Sequence, residues 1–206
     1  MADYSYQPAA VEHAVRQLTA GVKRTLYAAP TGSGKSVIEL AVQSAVAGSW
    51  IVTPRIEIVA GMLAKSGLQT SGLSEAALVD TAWQRALTTP LRLRNRLLAG
   101  GLAPAFLILD EAHHDSASTW TDLPTLCDCP AVGYTATPFR GAPESTRKFL
   151  ANWGEPIWIL TFADAVRRGV ITVPSCRTAS GAPAVAAAAV SAGPMPRSTP
   201  AVTSDT

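Results

Sequence analysis

The amino-acid sequence predicts an α/β fold in which helices cover both faces of a parallel β-sheet. Short apolar runs typical of buried strands alternate along the chain with stretches whose apolar residues recur at helical spacing. Strands separated by helices in this way pair in parallel and are buried on both faces. The chain has 206 residues, 48% of them hydrophobic. It can therefore build one domain with a substantial core, but it is too short for two lobes of ordinary size.

The helices are predicted from apolar stripes and from the residues at their ends. In the first helix, Val11, Val15 and Leu18 lie on one face. The second helix is closed by Gly48, and the third follows Pro54. The predicted helices span residues 8–18, 36–47, 56–65, 91–98 and 162–168.

The strands are predicted from short apolar runs between these helices. The clearest is a run of five apolar residues that ends at Asp110. Ligands of open parallel sheets bind beyond the carboxyl ends of the strands. Lys35 and Asp110 both follow strands, so one crevice is expected to hold both. The predicted strands span residues 24–28, 50–52, 77–79, 105–109, 131–134 and 157–160.

Residues 29–36 read A-P-T-G-S-G-K-S and predict a loop that binds nucleotide phosphates. Gly32 and Gly34 permit a backbone whose N–H groups point inward at phosphate oxygens. Lys35 would place its charge on the β- and γ-phosphates, and the Ser36 hydroxyl would bind Mg²⁺. An ordinary glycine-rich turn does not account for Lys-Ser at a helix start. The candidate nucleotide-binding residues are Pro30, Thr31, Gly32, Ser33, Gly34, Lys35 and Ser36.

Residues 110–113 read D-E-A-H and follow the clearest strand. Asp110 is expected to hold Mg²⁺ through water, and Glu111 to orient and deprotonate an attacking water molecule. The alternative is a solvated acidic strand end, which does not explain the position after a buried strand. His113 and His114 also suggest a metal cluster, but catalytic zinc ligands usually have the wider H-E-x-x-H spacing. His113 is therefore interpreted as a polar coupler to the next motif.

These motifs resemble those of the first RecA-like lobe of superfamily 2 helicases and translocases of the DEAH/DExH type. The resemblance covers residues 4–173, and the segment 162–170 resembles helicases of restriction systems and phages more than the spliceosomal ones. It implies ATP and Mg²⁺ as cofactors. Residues 4–8, Y-S-Y-Q-P, resemble the segment in which a glutamine reads the adenine edge, which implies that role for Gln7. Residues 133–138, G-Y-T-A-T-P, resemble motif III, which implies that Thr135 and Thr137 bond to the DEAH segment and couple nucleotide state to lobe movement.

Two further segments resemble motifs that contact the nucleic-acid backbone. Residues 52–55, V-T-P-R, resemble motif Ia and imply phosphate contacts from Thr53 and Arg55, although a plain strand-to-helix turn is an alternative. Residues 80–84 resemble the next backbone-contact motif and imply Thr81 and Gln84. The implied partner is a DNA or RNA backbone, with DNA favoured. Nearby arginines either extend a phosphate track or form a solvated face; they are Arg85, Arg92, Arg94 and Arg96.

The bulk composition excludes several other classes of protein. The net charge is only +2, so any nucleic-acid surface must be local. The three cysteines are Cys127, Cys129 and Cys176, and this odd, sparse count argues against a disulfide framework and is typical of a reducing cytosol. A structural zinc site needs four ligands at suitable spacing, so Cys127 and Cys129 are interpreted as loop residues. The sequence contains no signal-peptide pattern and no apolar run of membrane-spanning length, so no membrane partner and a cytoplasmic location are predicted.

The composition changes after Val173 to mostly Ala, Ser, Thr, Pro, Gly and Val. The predicted organisation is a helicase ATP-binding RecA-like domain over residues 1–173 and a disordered tail over 174–206, with the second helicase lobe and its arginine finger absent. Two functions stay open: a motor lobe that works with a second lobe or subunit in trans, or a truncated or remnant module that binds nucleotide or nucleic acid with little catalysis of its own. A P-loop kinase or small GTPase does not explain D-E-A-H and T-A-T.

Overall fold

The computed structural model describes residues 2–116, 123–139 and 141–172, together with the backbone of 176–177 and 183–184. Two compact units are distinguished, Met1–Thr172 and Val173–Thr206. In its described part, the second unit contains an antiparallel pair of two-residue strands, Cys176–Arg177 and Pro183–Ala184. The tail predicted to be disordered lies almost entirely outside the described residues.

The first unit is built on a six-stranded sheet in which every pairing is parallel, with the order β3-β2-β4-β5-β1-β6. This confirms the predicted α/β class. The strands are β1 Arg24–Ala28, β2 Ser49–Val52, β3 Leu87–Thr88, β4 Phe106–Leu109, β5 Ala131–Thr135 and β6 Ile157–Trp158.

Helices cover both faces of this sheet, as the sequence predicts. They are α1 Gln7–Thr19, α2 Lys35–Ala45, α3 Ile56–Lys65, α4 Glu75–Gln84, α5 Pro90–Leu98, α6 Leu123–Cys127, α7 Pro143–Trp153 and α8 Phe162–Arg167, with a 3₁₀ helix over Ala112–Ser116. Side chains of α1, α2 and α3 pack on one face with Ile108 of β4, and side chains of α5, α6 and α7 pack on the other with Leu107 and Leu109. The alternation along β4 follows from the two-residue period of a strand.

One predicted strand, 77–79, is wrong because these residues lie inside α4. The Ser74 side chain accepts a hydrogen bond from the Ala77 N–H and caps this helix. A run of three apolar residues cannot distinguish a helix from a strand by its pattern. The strand of this region is β3, Leu87–Thr88, which is buried beside β2.

Within the described residues, no helix is both long and apolar enough to cross a membrane.

Candidate nucleotide-binding site

The three motifs with the strongest chemical signal follow three neighbouring strands. The glycine-rich loop follows β1, the D-E-A-H segment follows β4, and the T-A-T segment ends β5, which lies between the other two. The register pairs Ala28 with Thr135, and Leu109 with Gly133. The carboxyl ends of these strands therefore bring the motifs to one edge of the sheet, as expected for Lys35 and Asp110.

The glycine-rich loop holds its lysine inward. Gly32 and Gly34 have φ angles of 84° and 81°, in the left-handed region that glycine adopts without strain. Lys35 is buried, and its Nζ donates to the backbone oxygens of Ala29 at 3.2 Å and Pro30 at 3.3 Å. The buried Ser33 Oγ has no hydrogen-bond partner among the described residues. The loop thus keeps a cation and an unpaired hydroxyl together beside the strand end.

Asp110 lies at the end of β4 with its carboxylate anchored from β2. It is 6% exposed, and its Oδ2 accepts a hydrogen bond from Thr53 Oγ1 at 2.9 Å. Burial raises the pKa of Asp110, and the neighbouring Glu111 acts in the same direction, while the Thr53 hydrogen bond and the Lys35 charge oppose the rise. One carboxylate oxygen is therefore fixed while the group stays next to the lysine that favours its ionised form.

Glu111 adopts a backbone conformation that is rare for its residue type. Its φ is 51°, which turns the chain away from the line of β4 and into the 3₁₀ helix. His113, as a hydrogen-bond partner, lowers the pKa of Glu111 against the effect of burial, and the Lys35 charge also lowers it. Glu111 is therefore ionised at neutral pH.

His113 stands between Glu111 and Thr135. Its Nδ1 lies 3.2 Å from Glu111 Oε2 and 3.0 Å from Thr135 Oγ1, which in turn accepts a hydrogen bond from the Thr137 N–H at 3.0 Å. The tautomer sets the direction: an Nδ1 that carries the hydrogen can donate to Thr135 Oγ1 or to Glu111 Oε2, whereas an Nδ1 without it accepts from Thr135 and leaves Glu111 Oε2 without a hydrogen bond among the described residues. The contact between the D-E-A-H segment and Thr135 thus runs through one ring nitrogen. The Thr137 side chain is exposed.

Glu39 belongs to this centre although the sequence motifs do not include it. It lies on α2, is 0% exposed, and neither carboxylate oxygen has a hydrogen-bond partner among the described residues. Burial raises the pKa of Glu39 well above its ordinary range, and the nearby Asp110 adds to the rise. The sequence feature that could have identified Glu39 is its position four residues after Lys35, on the same helix face, between the apolar residues Ile38 and Leu40.

The predicted adenine reader lies against the glycine-rich loop. The Tyr6 hydroxyl donates to Ser33 O at 2.5 Å, and Gln7 Nε2 donates to the same oxygen at 3.5 Å. A Cβ atom at Gly34 would lie 2.4 Å from Gln7 Nε2. Gln7 therefore lies against Ser33 and Gly34 of the glycine-rich loop.

The residues predicted to touch nucleic acid lie in quite different places. Thr53 is 0% exposed and donates to Asp110, so its hydroxyl does not face solvent, contrary to a phosphate-binding role. Arg55 is exposed and lines an open cleft of about 650 Å³ that Glu111 also borders. Arg55 thus keeps the expected surface position, next to the candidate catalytic carboxylate.

Gln84 does not join this edge of the sheet, and the Thr81 hydroxyl is bonded within its own helix. Thr81 Oγ1 donates to Ala77 O within α4, and Gln84 ends that helix, just before the amino end of β3. A cleft that includes Gln84 also includes Ser49, the first residue of β2, so Gln84 lies at the opposite edge from Asp110. The role that the motif resemblance implies for these two residues stays a prediction.

The residues that do follow β3 are Thr89 and Pro90. They lie beside Thr53 and Pro54, because the Thr53 N–H donates to Thr88 O at 3.0 Å. The sequence could have identified these residues, since a mostly apolar run leading to Thr-Pro occurs both before 53–54 and before 89–90.

Comparison with known proteins gives one matching family. The family model for the type III restriction enzyme res subunit matches residues 1–140. No curated protein sequence matches the chain significantly.

Several solved structures have the same fold. The Hef helicase domain of Pyrococcus furiosus is 21% identical with a TM-score of 0.52, over 72% of this chain and 36% of that one. The UvsW helicase of bacteriophage T4 is 15% identical with a TM-score of 0.50, over 74% of this chain and 58% of that one. The Type ISP restriction-modification enzyme LlaGI, solved as a nuclease-deletion mutant with a DNA substrate mimic, is 17% identical with a TM-score of 0.52, over 82% of this chain and 20% of that one. The chain thus spans less than two thirds of each of these proteins.

Proposed function

The chain belongs to the type III restriction enzyme res subunit family, and we propose that it binds ATP with Mg²⁺ and acts as a motor lobe that couples ATP hydrolysis to movement on nucleic acid. The family and the fold identify it as the N-terminal RecA-like lobe of a superfamily 2 helicase of the restriction and phage type. The observation that carries the proposal is the meeting of Lys35, Asp110 and Thr135 at the ends of three adjacent strands. A nucleotide phosphate site needs a cation at the phosphates and a carboxylate for Mg²⁺, and Thr135 contacts the segment that carries this carboxylate.

The residues present fit a magnesium ion. Asp110 and Ser36 offer oxygen atoms, the ligands that Mg²⁺ prefers, and Asp110 is held in place by Thr53. In the part of the chain that the structure describes, no group of three or more His, Cys, Asp or Glu residues is placed to hold a metal. Mg²⁺ at nucleotide sites takes one or two carboxylates and completes its shell with phosphates and water. When bound, Mg²⁺ would offset the negative charge of the β- and γ-phosphates.

The residues around the phosphates have distinct roles in the proposed reaction. Lys35 would exchange the carbonyl oxygens of Ala29 and Pro30 for phosphate oxygens, which bind a cation more strongly. Glu111, ionised at neutral pH, would accept a hydrogen bond from the attacking water and then its proton. His113 would couple the contacts of Glu111 to those of Thr135, because its Nδ1 atom lies within 3.2 Å of Glu111 Oε2 and 3.0 Å of Thr135 Oγ1.

We place the nucleic acid at the carboxyl edge of β2 and β3. Arg55 is exposed there, and Thr89 follows β3 beside it. A cation and a hydroxyl bind backbone phosphates without reading the base sequence, so either DNA or RNA would be accepted on chemical grounds. DNA is favoured because the family is of the restriction type and because LlaGI was solved with a DNA substrate mimic. A second lobe or subunit would close the other side of the nucleotide site in trans.

The proposal is tested by measuring ATP binding and ATP turnover with and without single- or double-stranded DNA and RNA. Lys35→Ala is expected to weaken ATP binding, because it removes the charge on the phosphates. Glu111→Gln is expected to keep binding but to lower turnover by about 100-fold or more, since the amide cannot take the proton. Lys65→Ala and Glu144→Gln, at exposed positions on α3 and α7, are the matched controls.

Three outcomes separate the alternatives. Turnover that nucleic acid stimulates and that both changes remove supports a motor lobe. ATP binding with little turnover in any condition supports a binding module that needs another lobe for catalysis. The absence of ATP binding by the wild-type chain contradicts both.

A further inference from the structure

The N-terminal segment, residues 3–7, is attached to the end of α8 through Arg168. The Asp3 N–H donates to Arg168 O at 3.0 Å, and Arg168 Nη1 donates to Asp3 Oδ2 at 2.5 Å and to Ser5 Oγ at 3.2 Å. The Arg168 Cζ atom lies 5.8 Å from the centre of the Tyr6 ring. One guanidinium therefore contacts three residues of the segment, which is the geometry in which arginine differs from lysine.

The other side of the same segment rests on the glycine-rich loop. Tyr6 and Gln7 both donate to Ser33 O, and Gln7 Nε2 fills the space where a side chain at Gly34 would begin. The segment therefore bridges α8 and the phosphate loop. A shift of residues 3–5 would be passed to Gln7 along only two peptide bonds.

The exposure of these contacts limits what Arg168 can do. The Arg168 and Asp3 side chains are 37% and 47% exposed, and ion pairs this exposed add little to the stability of a fold. The contacts of Arg168 therefore bear on the local position of residues 3–7 rather than on the stability of the whole unit.

We infer that Arg168 is a positioning residue for base recognition, which holds the N-terminal segment so that Gln7 is already in place when the nucleotide binds. The inference rests on the proposed function, in which the loop binds the phosphates and Gln7 reads the base. It assigns to Arg168 an effect on the adenine part of the ligand, exerted through Tyr6 and Gln7, and no effect on the phosphates. The segment is one that sequence resemblance identifies, but its attachment to α8 is visible only in the structure.

The test uses the full chain and calorimetric titration with ATP, GTP and tripolyphosphate in the presence of Mg²⁺. Arg168→Met, which keeps much of the apolar stem, is expected to raise the Kd for ATP about fivefold to tenfold, the equivalent of one net hydrogen bond. The Kd for tripolyphosphate is expected to stay within about twofold of wild type, so the preference for ATP over GTP narrows. Arg168→Lys is expected to recover part of the loss.

Arg167→Met is the matched control, since this neighbouring arginine pairs with Asp164 on its own helix. In a Gln7→Ala background, Arg168→Met is expected to have no further effect on ATP binding. Circular dichroism at the assay temperature checks that each variant is folded, and Arg168→Lys supplies the measurement if Arg168→Met is not.

Two results would overturn the inference while the proposed function survives. One is an unchanged Kd for ATP in Arg168→Met. The other is an equal loss of affinity for ATP and tripolyphosphate, which would make Arg168 a support of the phosphate loop. A wild-type chain that binds neither ligand would instead contradict the proposed function itself.

Discussion

Glu39 brings a carboxyl group into the interior, where neither of its oxygens has a hydrogen-bond partner among the described residues. Such a group keeps its proton in the folded state because burial penalises the charge. The nearby Asp110 carboxylate adds to the penalty, while the positive charge of Lys35 reduces it. Glu39 thus lowers the stability of the fold under neutral conditions, at a position beside the candidate metal centre.

A pH dependence follows from the raised pKa of Glu39. Below its unfolded pKa, the carboxyl is protonated in both states and adds no pH dependence. Above that value, only the unfolded carboxyl ionises, so the folded state binds more protons and stability falls as pH rises, by at most roughly 1.4 kcal/mol per pH unit, until the pH passes the folded pKa. Glu39→Gln is expected to remove this loss.

The measurement is the free energy of unfolding by denaturant, in metal-free buffer, at about pH 5 and about pH 8. The difference between Glu39→Gln and wild type should grow in favour of the variant at the higher pH. Glu144→Gln, at an exposed position on α7, is the control and should follow wild type. If the difference in the free energy of unfolding between Glu39→Gln and wild type is equal at both pH values, the buried, protonated state of Glu39 is contradicted.

At the scale of elements, the sequence predicts long or strongly patterned segments well and short ones poorly. The buried run of β4 and the helix α3 are predicted from their patterns, with α3 matching at both ends. In contrast, β3 has only two residues, and the three apolar residues at 77–79 fit a helix as well as a strand. In the structure they form a helix, which Ser74 caps with one hydrogen bond from the Ala77 N–H.

The residues of the candidate site also divide into those that sequence patterns predict and those that they do not. Lys35, Asp110 and Thr135 are predictable because each follows or ends a recognisable strand, and strand ends meet at one edge. Thr53 has a hydroxyl that fits a phosphate or a carboxylate equally well, so only the position of Asp110 in space assigns it to the latter. Glu39 escapes prediction because a single charged residue on a helix is normally exposed.

Helix α3 contains a glycine with room for a side chain. Gly61 lies in the interior of α3 and is exposed, and a Cβ atom added there would have no neighbour within 4 Å. Gly61→Ala is expected to stabilise the protein by about 0.5–1 kcal/mol, because alanine loses less backbone entropy in a helix. Denaturant unfolding measures the change. Gly67→Ala provides the contrast, since Gly67 has a φ of 82° and alanine is expected to destabilise there.

At the scale of the whole first unit, Gly133 is a point where three elements meet. A Cβ at this position in β5 would lie 2.8 Å from Ala112 Cβ in the 3₁₀ helix and 2.8 Å from Trp153 Cζ3 at the end of α7. Both neighbours are buried, so neither can move aside freely. The absence of a side chain at Gly133 therefore lets the D-E-A-H segment pack directly on the strand that carries Thr135.

Gly133→Ala is expected to destabilise the protein by about 1–3 kcal/mol through overpacking. ATP turnover by the folded fraction should also fall, because the displaced Ala112 lies between Glu111 and His113. Denaturant unfolding and turnover at a temperature where the variant is folded measure the two effects. Gly61→Ala, a glycine without close neighbours, is the control. Stability equal to wild type would show that Trp153 can rotate away at little cost.

The hydrogen bond between Thr53 and Asp110 also has a thermodynamic consequence. It joins the loop that carries Arg55 to the carboxylate proposed to hold Mg²⁺, so the position of one depends on the other. If nucleic acid at Arg55 and ATP at Lys35 favour the same arrangement of Thr53 and Asp110, each ligand tightens the binding of the other. The two factors must be equal, because a coupling free energy between two binding sites is reciprocal. Replacing the hydroxyl, as in Thr53→Val, would then weaken both factors equally, without either ligand touching the altered side chain.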